Sequence, residues 1–212
     1  KYLCHQRNII KRDLAPFVVS RREYAQAKPP NFLRPQQIKK LFAGLTIDTA
    51  SDVRTYALVQ LAYTLGLRPK EISQIRLDDI SFSTQQLTIT ERKGTNPVEL
   101  PIPEHTLKAV AAYVIGARPN SEHRHVFLTL YPPFRPMSPN LVGRHITNAM
   151  RKAALSATAY WLRHTYAQNL LEAGSSIFEI KEMLGHDKIE STRLYLHVHI
   201  KLMRKVLFDE TF

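Results

Sequence analysis

YWLRHTYAQNLLEAGSSIFEIKEMLGHDKIESTRLYLH, residues 160–197, breaks into three helical stretches at two glycines. The first runs from Tyr160 to Ala173 and stops at Gly174, a residue that tolerates the left-handed backbone on which helices commonly end. Ser176 followed by Glu179 forms a capping box, each side chain accepting from the other's backbone N–H, and the helix it opens closes at Gly185. Asp187 with Glu190 repeats the device and opens a third helix, which carries Tyr195.

Working outward, the same signals recur. Pro35 suits the first position of a helix, Ile38, Leu41 and Phe42 share one face, and Gly44 ends the pattern. A second helix is predicted from about Ser51 to Leu65, with Gly66 as its stop. Pro69 then starts a short third helix through Ile75, which places Arg68 in the joint. Leu87 and Ile89 alternate with Thr88 and Thr90, and Val98, Leu100 and Ile102 alternate likewise around the turn Arg92-Lys93-Gly94-Thr95-Asn96, the pattern of a β-hairpin. Further helices are predicted at about Glu104 to Ile115 and Pro139 to Ala154. A proline-rich loop from Tyr131 to Pro139 separates them, and a short strand is expected at Val126 to Leu128. The chain reads as mainly α with a small antiparallel β-sheet, an α+β arrangement. Residues 1–31 read as a basic linker and the tail of something upstream, 32–200 as one domain, and 201–212 as a separate C-terminal segment.

With 44% apolar residues, 212 residues can build one sizeable core, which argues against a disordered chain. The longest apolar stretches, 56–65 and 107–115, fall well short of the roughly 18–20 residues that span a bilayer. The first residues lack the apolar core of a secretory signal, and Cys4, the single cysteine, can form no internal disulfide. A reducing, cytoplasmic setting is expected. The net charge of +12 points to a polyanion as partner. Much of the excess sits in residues 1–40, where ten Lys and Arg face only Asp13 and Glu23. Charge gives a direction and identifies nothing.

Three segments in this order resemble the tyrosine recombinases of the phage-integrase type. TLGLRPKEISQIRLDDI (64–80) resembles the family's first arginine box, ERKG (91–94) its catalytic lysine turn, and residues 160–197 its second box nearly end to end. The resemblance covers about Phe32 to His199. It implies a catalytic domain in which Arg68 and Arg163 hold a DNA phosphate, Lys93 acts as general acid and His186 assists. Tyr195, nine positions after His186, would be the nucleophile that forms a covalent 3′-phosphotyrosyl link. It also implies an upstream helical core-binding domain, assembly into a synaptic tetramer on double-stranded DNA, and no metal, ATP or other cofactor. Tyr160 departs from the pattern, because the family usually has histidine there. A phenol can donate a hydrogen bond to a phosphate oxygen but, with an ordinary pKa of about 10, carries protons poorly near neutrality.

The chemistry explains why such residue types belong together. Attack on a phosphodiester builds negative charge on the non-bridging oxygens, and a guanidinium is a permanently charged planar fork of donors that fits them. Each residue also has a plainer reading. Tyr195 alone is more often a packing residue, Arg163 has the pattern of a buried ion-paired arginine, and Arg68 can pair with Glu71 to staple two helices. His186 can be a helix-end cap, Tyr160 a packing residue, and Lys93 part of a solvated turn, with Arg92 competing for its role. Arg144, His145, Arg151 and Lys152 are candidate DNA-backbone contacts or simply a solvated helix face. His123/His125 and His197/His199 sit two apart, a spacing that does not share a helix face and points away from a metal site. Leu202, Met203, Val206, Leu207 and Phe208 suit either docking on a neighbouring protomer or folding back on the domain. A type IB topoisomerase-like enzyme and a cleavage-deficient DNA-binding module are the two rival functions.

Overall fold

The computed structural model describes residues 31–90 and 97–185. Expectations that fall on residues 1–30, 91–96 and 186–212 lie outside it, including those for Arg92, Lys93, His186, Tyr195 and the C-terminal segment. Helix α1 spans Pro35–Ala43 and ends at Gly44, burying Ile38 and Leu41. Helix α2, Ala50–Thr64, opens on a reciprocal box: the Asp52 amide donates to Thr49 Oγ1 and the Thr49 amide donates to the Asp52 carboxylate, both at 3.2 Å. Its Ala57, Leu58, Val59 and Leu61 have no exposed surface, so apolar groups face all round the helix, as in a core element. Around it pack α4 (Glu104–Gly116), α5 (Pro139–Lys152), α6 (Ala159–Glu172) and the short α3 (Pro69–Gln74).

Between α3 and α4 lies a three-stranded antiparallel sheet, β1 (Ile80–Ser81), β2 (Gln86–Ile89) and β3 (Val98–Pro101), in that order. Ile80 pairs with Leu87 and Leu87 with Leu100, which puts three apolar side chains in a row against the core. The Ile89–Val98 pair ends the described ladder, and the segment bearing Lys93 joins those two ends. The strand expected at 126–128 resolves instead into isolated bridges, Arg76 with His125 and Leu128 with Pro136. Val126, Phe127 and Leu128 are all fully buried, so this segment is an extended core plug rather than an alternating strand.

One core runs from Leu33 through Leu162, and a small satellite of Ala167, Leu171, Ile180 and Leu184 joins α6 to the last described helix, α7 (Ile177–Leu184). Gly66 fixes how α2 hands over to α3. Its φ is +61°, and a Cβ there would stand 2.4 Å from Cδ1 of Tyr166 on α6. Gly66→Ala should therefore combine left-handed strain with overpacking, a loss of about 2–5 kcal/mol. Gly174→Ala, at φ +92° with nothing within 4 Å, should show only the backbone part. Urea unfolding of the two variants checks the difference.

Candidate active site

Arg68 is the residue that precedes α3, and its extended backbone lets Pro69 take the first helical position. Three residues on, Glu71 turns back and accepts twice from it: the Arg68 amide at 2.7 Å to Oε2 and the guanidinium Nη1 at 2.9 Å to Oε1. The Glu71 side chain is 4% exposed and that of Arg68 is 30% exposed, so the carboxylate is a buried anchor and the guanidinium reaches the surface from it. Arg163 approaches the same carboxylate from α6, Nη1 to Oε2 at 3.7 Å. Its Nη1 also donates to the Gly66 carbonyl at 2.6 Å, and its Nη2 donates to the carbonyl of Leu184 at the end of α7. Arg68 Nη2 lies 3.4 Å from the next carbonyl, Gly185.

The two arginines therefore converge although they stand 95 positions apart in the chain. Three local devices bring them together. The Arg-Pro-x-Glu start of α3 places Arg68 on Glu71. The left-handed Gly66 turns its carbonyl to Arg163 while admitting Tyr166, one helical turn further along α6. The αL end of α7 at Gly185, φ +60°, lays its last carbonyls across both guanidinium groups. A buried guanidinium needs such partners, since an uncompensated charge inside a protein costs several kcal/mol.

Tyr160 lies in the first turn of α6 and is 56% exposed. It shares an open groove of about 460 Å³ with Arg68, Lys70, Asn140 and Thr147. Arg144, Arg151 and Lys152 are exposed on α5, and Arg151 lines an adjoining groove of about 580 Å³. Lys152 lies 3.9 Å from Asp52 at the surface. His145 takes another course. It is half-buried against α2, where Arg54 Nη2 stands 3.1 Å from its Nε2 and Thr55 Oγ1 stands 3.3 Å from Nδ1. A guanidinium only donates, so Nε2 accepts and Nδ1 carries the hydrogen. The ring thus braces α2 to α5, on another side of the helix from Arg144.

Burial, with the charges of Arg54 and Arg144, holds the His145 pKa below its ordinary value, and burial beside Arg163 does the same to His164. Both rings resist protonation in the folded chain where the unfolded chain accepts it. Their contribution to stability is full above about pH 6.5, the ordinary histidine value, and is lost as pH falls below it. Unfolding free energy should accordingly drop between pH 7.5 and 5.5, with a shallower drop in His145→Gln. An unchanged slope in that variant would remove His145 from the account.

Glu71 is the site residue that sequence reasoning undervalued, by treating it only as a rival partner for Arg68. Its signal was present: a glutamate in the third position of a proline-started helix accepts from the residue before the helix. Thr147, Thr158 and Asn140 carry no such signal, because their role in lining the grooves depends on how α5 crosses α3 and α6.

The family model for the phage integrase family matches residues 31–201. Tyrosine recombinase XerC of Anoxybacillus flavithermus is 32% identical over 189 residues, covering 86% of this chain and 63% of the relative. A putative integrase/recombinase of Sinorhizobium fredii is 29% identical over 202 residues, 93% of this chain and 49% of the relative. The crystal structure of XerA recombinase shares the fold, with a TM-score of 0.71 at 22% identity over 86% of this chain and 66% of that one. The chain spans about half to two thirds of the length of these relatives. Among the described residues no helix is long and apolar enough to cross a membrane. With two arginine boxes meeting at one carboxylate, on this fold and across this span of sequence, the chain belongs to the phage integrase family of tyrosine recombinases.

Proposed function

We propose that this chain is the catalytic part of a site-specific recombinase that cuts and rejoins double-stranded DNA by transesterification. The observation that carries the reading is the meeting of Arg68 and Arg163 at Glu71, beside a groove open to solvent. Two guanidinium groups anchored on one carboxylate, one at the start of α3 and one on α6, form a cationic seat for one phosphate. The carbonyls of Leu184 and Gly185, one on each arginine, mark where acceptor oxygens stand, and an anionic oxygen in those positions binds a guanidinium more strongly than a neutral one.

In this scheme the phenol oxygen of Tyr195 attacks phosphorus and the bond to the 5′ oxygen breaks. The phenolic proton passes toward His186, and Lys93 gives a proton to the departing 5′ oxygen. The product is a 3′-phosphotyrosyl bond and a free 5′ hydroxyl. Because one ester replaces another, a 5′ hydroxyl from a second DNA can reverse the step without ATP. The guanidinium pair supplies the charge stabilisation that a metal gives in other phosphoryl transfers. Tyr160, exposed on the same groove as Arg68, supplies a hydrogen bond to a phosphate oxygen.

The setting is cytoplasmic and the working assembly a tetramer on two DNA sites. Residues 1–31 serve as a basic connection to an upstream DNA-clamping domain, and residues 201–212 dock on a neighbouring protomer. The test is incubation with nicked duplexes from candidate recombination sites, in which cleavage releases a short strand and traps the intermediate. A protein–DNA adduct that survives denaturing electrophoresis is the expected result. DNA that binds but yields no adduct on a site known to recombine would reduce the chain to a binding module.

A further inference from the structure

The groove at Arg68 does not end at Tyr160. It shares Thr147 and Thr158 with the adjoining groove that ends at Arg151, so the two form one trough between α5 and the segment leading into α6. That segment is built for exposure on one side. From 154 to 160 burial alternates strictly, with Leu155, Ala157 and Ala159 inward and Ser156, Thr158 and Tyr160 outward. One wall is therefore a row of three hydroxyl groups. The other wall is the polar face of α5, where Asn140, Thr147 and Arg151 recur at helical spacing. Arg68 and Lys70 stand at one end and Arg151 at the other, and among the described residues no carboxylate lines either part.

We infer that this trough holds the DNA backbone on one side of the cut, with Arg151 and the hydroxyls of Thr147, Ser156 and Thr158 as phosphate ligands, an inference that rests on the function proposed above. Hydroxyls and a guanidinium on non-acidic walls suit a phosphodiester chain, whereas base reading would need side chains that project into a groove of the duplex. The length fits as well. Asn140 to Arg151 is about 16 Å of helix, long enough to follow a short run of successive phosphates along one strand. Thr158 precedes α6, yet its hydroxyl makes no capping bond, so engaging a ligand would take no hydrogen bond from the helix start.

The test is the salt dependence of binding of the whole chain to a 30-base-pair duplex of mixed sequence. Arg151→Ala should lower the slope of log affinity against log salt by about one. Thr158→Val should weaken binding about twofold to tenfold with the slope and thermal stability unchanged, as loss of one neutral hydrogen bond requires. Lys108→Ala, outside the trough and paired with Glu104 on α4, should change neither. Wild-type affinity and slope in both Arg151→Ala and Thr158→Val would overturn the inference. Adduct formation through Tyr195 is scored separately, so a chain that forms the adduct while ignoring these substitutions would sink the trough alone.

Discussion

Replacing Arg163 by alanine is expected to cost the chain about 3–5 kcal/mol of folding stability and, on the proposed reading, all measurable DNA cleavage. Arg163 is 3% exposed and its guanidinium ties together Gly66 in the turn before α3, Leu184 at the end of α7, and Glu71. Alanine takes the charged donor from two buried carbonyls and leaves a buried carboxylate without one of the cations that the described residues place beside it. Arg163→Lys separates the two consequences. An ammonium keeps the charge and part of the stability but lacks the planar fork that reaches Gly66 with one nitrogen and a phosphate oxygen with the other, so single-turnover cleavage should fall about 100- to 1,000-fold. Urea unfolding reads the first effect and the adduct rate the second. A lysine variant with full activity would mean that Arg163 is a structural tie and nothing more.

The second large effect is expected at Tyr195. Tyr195→Phe removes one oxygen and leaves the ring, so duplex affinity should stay within about twofold while the covalent adduct disappears with the oxygen that forms the ester. Tyr160 is the natural challenger, because it is exposed on the groove that Arg68 lines. The proposed hydrogen-bonding role predicts that Tyr160→Phe slows adduct formation by no more than about tenfold. An adduct that persists in Tyr195→Phe and vanishes in Tyr160→Phe would exchange the two roles.

Most of the helical framework was legible because its punctuation is local. Pro35, Pro69 and Pro139 open helices where the sequence places them, Ser176 with Glu179 forms the expected box, and Gly66, Gly174 and Gly185 all adopt positive φ. The hairpin followed from simple alternation of Leu87 and Ile89 with Thr88. β1 did not show itself, since two residues, Ile80 and Ser81, are too few to establish a period. The buried run Val126 to Leu128 reads as a strand in the sequence because a short apolar run looks the same in either setting.

The site was legible in part. Composition and motif order led to Arg68 and Arg163, but whether two residues on different helices face one another is a matter of packing. His145 shows the converse. It adjoins Arg144 in sequence and reads as one more basic residue on α5, yet a rotation of about 100° per residue turns it toward Arg54 and Thr55. Glu71 fell between these cases: its local bond to Arg68 could be read, whereas its contact with Arg163 could not.

The most direct measurement is a double-mutant cycle on Arg68→Lys and Arg163→Lys, using the single-turnover rate of adduct formation on a nicked site under saturating protein. Two donors acting on one phosphorus are coupled, so each single variant should lose about 100- to 1,000-fold and the double variant far less than the product of the two losses. Losses that multiply independently, or a full rate in either single variant with DNA still bound, would show that the two guanidinium groups do not share a phosphate.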